Sequence, residues 1–250
     1  MKNYLFILFF LSKVFGQYDQ IFVGSRPLSM GGAFSAVADD ANAIAWNPAG
    51  LPGLRRTEFT STFADLYDLG INQSYIGFVR PFSDRIAIGF DWSNIGFDDK
   101  ELGYSENKLN FSFGIQPHKI FSIGINVKYL MRDMLLNETS YGKSNGMGRD
   151  LGIIIKPSKN VKMGLGIYDV GGTSVSYKDR TEETILGQAF RLGISYMPIN
   201  GLTLAADYSD RLHLGAEYIL ANRVSFRTGL QQGLNSNNEK DMLIPSAGLS

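Results

Sequence analysis

Residues 29–51 have the sequence SMGGAFSAVADDANAIAWNPAGL, the only alanine-rich stretch of the chain with helical character. Asp39 or Asp40 can accept hydrogen bonds from the free amide groups of a short helix over residues 41–46. The side chains of such a helix are small and mostly apolar, which favours a compact element. The stretch therefore predicts a capped helical turn early in the chain.

Pro48 marks the end of this helix. A proline disfavours a helical conformation at the preceding residue, so the helix is predicted to stop at Asn47. Asn47 can then cap a second turn that begins with Pro48 in its first helical position. Gly31, Gly32 and Gly50 permit sharp backbone changes on either side. The two capped turns form a compact element. Its position ahead of the predicted strands suggests that it plugs a barrel.

Residues 57–250 alternate between apolar and polar or small residues, a period of two that is typical of β-strands. One predicted strand carries Ile88 and Phe90 on one face and Gly89 and Asp91 on the other. The same pattern recurs along the chain. It predicts about twelve strands.

The connections between these strands fall into two classes. Tight turns are predicted at residues 81–84, 117–119, 157–160, 198–201 and 220–223. Longer, more polar loops are predicted at residues 97–107, 136–147, 171–187 and 233–241. Short turns at one end and long loops at the other are typical of an up-and-down antiparallel barrel.

The polar face of the strands carries small residues and charges of both signs. The candidates to face the lumen are Arg85, Asp91, Lys128, Arg132, Arg191, Asp207, His213, Glu217 and Arg227. The apolar face is nearly unbroken, and tyrosine or tryptophan often lies near its strand ends. An outward apolar band around a polar lumen predicts an all-β transmembrane barrel in an outer membrane. A soluble carrier barrel is the alternative, and the one-sided loops argue against it.

The N-terminus has the features of a secretory signal. Lys2 precedes a short apolar core at residues 4–11, and cleavage is predicted before Gln17. A membrane-spanning helix is a weaker interpretation, since Lys13 interrupts the apolar run and about 20 apolar residues are needed to span a bilayer. The protein is therefore predicted to be exported.

Composition excludes several classes of function. The chain has no cysteine, which removes disulfides, thiol catalysis and cysteine-ligated metal sites. Acidic and basic residues are equal in number, 24 each, and no basic stripe indicates nucleic-acid binding. The predicted organisation is a signal peptide at residues 1–16, an N-terminal hatch at 17–56 and a barrel at 57–250. The last strand stops without a turn or terminal aromatic residue, so we expect closing strands beyond Ser250.

Three motifs of the N-terminal stretch resemble the FadL-like outer-membrane transporters, and more closely their PorV/PorQ-like (UPF0164-type) relatives. The motifs are MGGAF at residues 30–34, AVADDA at 36–41 and WNPAGL at 46–51. The resemblance implies a hatch folded inside a barrel of roughly fourteen strands. The hatch or gating residues that it implies are Gly31, Gly32, Asp39, Asp40, Asn47, Pro48 and Ala49.

The same resemblance implies two functions. FadL-like proteins move hydrophobic molecules such as long-chain fatty acids passively past the hatch. PorV-like members serve type IX protein secretion as docking barrels. The partners expected are therefore outer-membrane lipid and a hydrophobic ligand, or secreted proteins and secretion components.

Other chemistry has weaker support. Gly31-Gly32 lacks the spacing of a dinucleotide loop. Asp39-Asp40 could bind a cation, but helix capping is the favoured interpretation. His213 and Glu217 could share a strand face, which suggests a charge network in the lumen more than serine–histidine catalysis. The sequence therefore predicts no catalytic residues, no cofactor and no metal site.

Overall fold

A computed structural model describes residues 23–66, 70–98, 102–136, 139–140, 142–177, 183–221, 223–233 and 243–250. The predicted signal peptide lies outside these residues. No helix in the described part of the chain is long and apolar enough to cross a membrane.

Residues 23–54, here called the inner segment, hold the helical elements. These are α1 (Ser25–Ser29), α2 (Ala43–Trp46) and a 3-10 helix (Pro48–Gly53). The helix predicted over residues 41–46 begins two residues later, at Ala43, and no side chain caps its first turn. Asp40 Oδ1 instead accepts from the amide of Asn42, the residue before the helix, at 2.8 Å. Helix α1, which contains Pro27, was not predicted.

The turn after α2 forms as the sequence predicts. Asn47 adopts an extended conformation with φ −160° and ψ 99° ahead of Pro48. Its Oδ1 accepts a hydrogen bond of 3.2 Å from the amide of Ala49. Gly31 and Gly32 have φ of +63° and +77°, values that favour glycine.

All fifteen strands of the described residues lie in one antiparallel sheet. The bounds are β1 Glu58–Leu66, β2 Ile71–Ser83, β3 Ile86–Asp98, β4 Leu102–His118, β5 Phe121–Leu136, β6 Thr139–Ser140, β7 Ser144–Ile155, β8 Val161–Tyr168, β9 Thr173–Tyr177, β10 Glu183–Leu186, β11 Ala189–Ile199, β12 Leu202–Tyr208, β13 Arg211–Leu220, β14 Val224–Gly233 and β15 Leu243–Leu249. Twelve of them follow one up-and-down path in the order β1-β2-β3-β4-β5-β7-β8-β11-β12-β13-β14-β15. This confirms the predicted antiparallel all-β fold with about twelve strands.

The remaining three strands are short and extend the wall at one end. β6 pairs with the end of β5, and β9 pairs with both β10 and β7. The prediction of continuous loops was wrong in two places. Residues 136–147 include β6 and the start of β7, and residues 171–187 include the hairpin β9–β10. The predicted loop at 97–107 is largely strand, because β3 runs to Asp98 and β4 starts at Leu102. Short turns form close to the predicted positions, at residues 84–85, 119–120, 157–160 and 200–201 and at the described residues 221 and 223. Strands β2, β4 and β11 extend two or three residues into the predicted turn ranges.

The two faces of the wall differ as the alternation predicts. In β3, Asp91 is fully buried, whereas its neighbour Phe90 on the other face is exposed. Along β4 the burial alternates in the same way, with Phe111 64% exposed and Ser112 buried. The polar and small residues thus face the inner segment, and the large apolar residues face away from it.

Candidate functional site

The inner segment contacts each of the twelve strands of the path. At one edge, the hydroxyl of Thr60 on β1 lies 3.5 Å from Asn42 Oδ1. At the other, the hydroxyl of Ser246 on β15 donates to the carbonyl of Ser29 at 3.3 Å. Strands between them meet the segment through side chains or backbone. The sheet therefore wraps around residues 23–54, most of which are buried.

Glycines in the wall allow this close contact. A Cβ atom built on any of eight of them would lie within 3.0 Å of an atom of the inner segment. They are Gly89, Gly114, Gly124, Gly152, Gly164, Gly215, Gly229 and Gly248, on eight different strands. Gly114 is paired with Gly124, and Gly124 with Gly152, so three adjacent strands present a row without side chains. Backbone and side-chain atoms of the segment occupy the space that these side chains would fill.

Asn47 connects the inner segment to the wall. It is fully buried, and its Nδ2 donates both to the carbonyl of Ser35 at 2.8 Å and to the carbonyl of Ile153 on β7 at 3.2 Å. Two further wall contacts hold the same region. Tyr168 donates its hydroxyl to the carbonyl of Trp46 at 2.5 Å, and Asn126 Nδ2 donates to the carbonyl of Ile44 at 2.8 Å.

Arg26 is the centre of a charged cluster. Its Nε and Nη2 donate to the two carboxylate oxygens of Glu217 at 2.9 and 2.7 Å. Its Nη1 reaches Asp39 and Asp40, each at 2.8 Å. Arg227 also donates to Glu217, at 2.6 Å. The buried Glu217 is thereby shared between a residue of the inner segment and a residue of the wall.

The electrostatics of this cluster favour the charged forms. Partial loss of hydration opposes the charge of Asp39, whose side chain stays 44% exposed, but the Arg26 guanidinium and the Lys162 ammonium outweigh it and hold the pKa of Asp39 below its usual value of 3.8. Burial likewise opposes the charge of Arg26, and its carboxylate neighbours raise the pKa of Arg26 well above the ordinary range. Asp39 therefore forms ion pairs with Arg26 and Lys162, and Asp40 pairs with Arg26 and accepts from the amide of Asn42.

A second buried ion pair, between Arg191 and Asp207, contacts the inner segment near Gly32. Arg191 on β11 donates to the carbonyl of Gly32 at 2.7 Å and lies 3.6 Å from Asp207 on β12. Asp207 Oδ2 accepts from the amides of Phe34 and Ser35, at 3.1 and 2.9 Å. Both wall residues thus bind backbone groups of the inner segment.

His213 and Glu217 both face inward from β13 and contact different parts of the inner segment. His213 Nδ1 lies 2.7 Å from the carbonyl oxygen of Gly31, and its Nε2 lies 3.3 Å from the Ser209 hydroxyl. His213 thus binds the turn at Gly31-Gly32.

The other predicted lumen residues form pairs along the wall. Lys128 bridges the carboxylates of Asp150 and Asp169, at 2.8 and 2.9 Å. Arg132 donates to Glu106 at 2.6 Å. Asp91 accepts from Asn110 Nδ2 at 2.7 Å. These side chains lie on the inward face of the wall and contact neighbouring polar or charged groups.

Arg85 differs from the prediction. It is exposed in the turn between β2 and β3, at the mouth of the wall, and lines an open cavity there. The predicted set also omits Arg26, Ser35, Asn126 and Tyr168, which bind across the boundary between segment and wall. Arg26 and Ser35 lie outside the three motifs, and strand parity alone does not single out Asn126 and Tyr168. Nowhere in the described residues do three or more His, Asp or Glu side chains form a group that could hold a metal ion.

Comparison with known proteins adds to this geometry. No family model and no curated protein matches the sequence. Among solved structures, the monoaromatic hydrocarbon channel CymD gives a TM-score of 0.72 at 14% identity, covering 93% of this chain and 89% of CymD. The chain shares the fold of these channels.

Two further structures give the same result. A FadL homologue of Pseudomonas aeruginosa gives a TM-score of 0.64 at 11% identity, over 91% of this chain and 85% of the homologue. A deltaS2 mutant of the TodX monoaromatic hydrocarbon channel gives 0.61 at 13% identity, over 93% of this chain and 89% of the mutant. The expected FadL-like fold is confirmed, while the closer resemblance to PorV/PorQ-like proteins stays a prediction.

Proposed function

We propose that this protein is an outer-membrane channel for hydrophobic small molecules, in which the inner segment is a plug. The observation that carries the proposal is that residues 23–54 contact all twelve strands of a wall with an apolar outer face. The function needs no catalytic residue, because passage down a concentration gradient requires only a path and a gate.

The outer face supports the membrane location. Large apolar side chains stand out from it on most strands, with Phe63 on β1 being 69% exposed. Exposed tyrosines accompany them, among them Tyr196, Tyr208 and Tyr218. So extensive an apolar surface is unfavourable in water and is favourable in the hydrocarbon core of a bilayer. Export by a signal peptide, predicted from residues 1–16, is consistent with this location.

The contacts of the plug support gating. Core residues such as Phe34 and Asn47 are fully buried, so little space is left between plug and wall. The plug is nevertheless held by hydrogen bonds and ion pairs such as Arg26–Glu217, which water or a ligand can replace. A solute therefore passes only when part of the plug moves, and Gly31, Gly32, Asp39, Asp40, Asn47, Pro48 and Ala49 belong to the part that must move.

The class of substrate follows from two sources. CymD and TodX are named as monoaromatic hydrocarbon channels. The sequence motifs resemble those of transporters of long-chain fatty acids. We propose hydrophobic small molecules as the class, with a long-chain fatty acid or a small aromatic hydrocarbon as the ligand.

A lockable plug tests this function. The chain has no native cysteine, so a cysteine pair can be introduced without side reactions. A Cβ atom built on Gly215 would lie 3.2 Å from the Cβ of Ala33 and 2.5 Å from the carbonyl oxygen of Met30. Disulfides have Cβ separations of about 3.5–4.5 Å, so a small shift of the inner segment away from β13 brings the pair into bonding geometry. The variant Ala33→Cys/Gly215→Cys, reconstituted in liposomes, is expected to take up a monoaromatic hydrocarbon when reduced and to stop when oxidised.

Each single cysteine variant is the matched control, and its uptake should be the same before and after treatment with the oxidant. Equal uptake in the oxidised and reduced double variant would contradict gating by the plug. Uptake no faster than in empty liposomes, for aromatic hydrocarbons and fatty acids alike, would contradict the transport function itself.

The second function implied by the motifs, docking in type IX secretion, stays a prediction from the sequence. It would be supported by co-purification of secreted proteins or secretion components with this protein. Unchanged secretion after deletion of the gene would count against it.

A further inference from the structure

An open cavity of about 410 Å³ lies at the short-turn end of the wall. Its lining combines the end of the inner segment with three turns, β2–β3, β4–β5 and β7–β8. The lining residues are Pro52, Gly53, Arg55, Asp84, Arg85, Gln116, Lys119 and Lys156. This volume is within the range of small-molecule sites.

Four of these residues are cationic and only Asp84 is anionic. Within the described residues, Arg55, Arg85, Lys119 and Lys156 form no ion pair within 4.0 Å, whereas the adjacent Arg56 reaches Glu58 at 3.7 Å. Cations gathered around one cavity repel each other, more strongly where water is partly excluded. The cavity therefore has an excess of positive charge that its own side chains leave uncompensated.

Lys156 shows the effect of this excess. It is half-buried in the turn after β7. Burial lowers its pKa from the usual 10.5, and the positive charges of Lys162 and Arg55 lower it further, although Asp39 opposes them. A negative charge placed in the cavity would remove this cost.

The cavity is also fixed in shape by its backbone. The amide of Gln116 donates to the carbonyl of Arg85 at 2.8 Å, and the Gln116 side chain donates to the carbonyl of Lys119 at 3.3 Å. The amide of Lys156 donates to the carbonyl of Ile120 at 2.8 Å. These hydrogen bonds join the three turns. The backbone positions that carry the cationic side chains are therefore fixed near one another without a ligand.

We propose that this cavity is a binding site for a small anion, a carboxylate or a phosphate group. Arg85 and Arg55 carry planar guanidinium groups that match either anion with paired hydrogen bonds, and Lys119 and Lys156 add point charges. The anion is either free or the head group of an amphiphile. Because Pro52 and Gly53 end the inner segment here, a bound anion lies against that segment.

Equilibrium binding tests the site. The full-length protein in a neutral maltoside detergent is titrated by calorimetry with sodium phosphate, acetate and octanoate, and with octanol as the uncharged reference. The wild type is expected to bind at least one of the anions and to bind it more weakly in high salt. The double variant Arg85→Gln/Lys156→Gln is expected to weaken that binding by about tenfold or more.

Arg223→Gln is the matched control. Arg223 lies in another short turn at the same end and does not line the cavity, so binding should be unchanged there. Phosphate or acetate binding would identify a free-anion site, and octanoate binding without acetate binding would identify a head-group site; both support the proposal. Unchanged binding in the double variant, or equal binding of octanol and octanoate, would overturn it. Neither result depends on uptake, so the site and the channel can fail separately.

Discussion

Arg26 and Glu217 are joined by two hydrogen bonds, of 2.9 Å from Nε and 2.7 Å from Nη2, although 191 residues separate them in the chain. One belongs to the inner segment and the other to β13. The paired geometry is the strong form of an arginine–carboxylate contact. It makes Glu217 the main charged link between the plug and the wall.

Glu217→Gln is expected to loosen the plug. The substitution keeps the shape of the side chain but leaves Arg26 and Arg227 without their shared carboxylate. Loss of one partner of a buried ion pair costs roughly 3 kcal/mol of the free energy of unfolding. We expect a lower melting temperature and a higher ion conductance in planar bilayers. Asp133→Asn, in an exposed pair with Lys143, is the control and should change neither.

Gly124→Ala is expected to displace the turn at Pro48. The new methyl group would lie 2.1 Å from the backbone carbon of Pro48, so the plug or the strand must shift. Overpacking of this kind typically costs about 1–3 kcal/mol. Gly187→Ala adds the same methyl group where no atom lies within 4 Å and is the control. The measurement is again conductance together with thermal stability; equal effects of the two variants would contradict the close contact.

Asn47→Ala removes a fully buried side-chain amide that forms hydrogen bonds with both the inner segment and β7. The carbonyl of Ser35 would lose a donor inside the protein, and the amide of Ala49 would lose its acceptor. Unsatisfied buried groups cost about 1–3 kcal/mol each, so denaturation should occur at clearly lower temperature. Asn72→Ala, at an exposed asparagine of β2, should leave stability within about 0.5 kcal/mol of the wild type.

The lowered pKa of Asp39 predicts that acid weakens the contacts that hold the plug. The pKa of Asp39 in the folded protein lies below 3.8, so the ionised carboxylate stabilises the fold above that pH, and the stabilisation is lost as the pH falls through the lower value. In Asp39→Asn, the melting temperature should therefore fall less between pH 6 and pH 3 than in the wild type. At pH 6 the variant should lose at most about 1 kcal/mol, because Asp39 is 44% exposed. A parallel decline in both proteins would contradict the assignment.

Phe111→Arg distinguishes a membrane wall from a soluble one. Phe111 packs against Phe90 on the outer face, with ring centroids 5.1 Å apart. In lipid, an arginine near the bilayer midplane costs about 2–4 kcal/mol. The variant should assemble poorly in outer membranes, whereas Thr139→Arg in the exposed β6 should assemble normally. Normal assembly of both variants would favour the soluble barrel.

The sequence predicts those features that have a local signal. Alternation of two residues separates Phe90 from Asp91, and Pro48 ends α2 regardless of the rest of the fold. The partners across the boundary have no such signal. Parity places His213 and Glu217 on one face, but the segment lies against that face, so His213 binds Gly31 while Glu217 binds Arg26. The small residues of the inner face are visible in the sequence, but their reason, the approach of another backbone, appears only in the structure.

The glycines of the wall have a consequence for assembly. The segment that they accommodate comes before the wall in the chain, yet it touches β15, the last strand described. Contacts of such long sequence separation carry a high loop-closure entropy and form slowly. Gly124 and Gly229 are not buried until the inner segment packs against them. The inner segment in turn has no packing partner until the strands of the wall have assembled around it. Assembly of the wall and packing of the inner segment should therefore occur in one cooperative step. We expect refolding to be slow and all-or-none, without a populated intermediate in which the wall has formed but the inner segment is not packed.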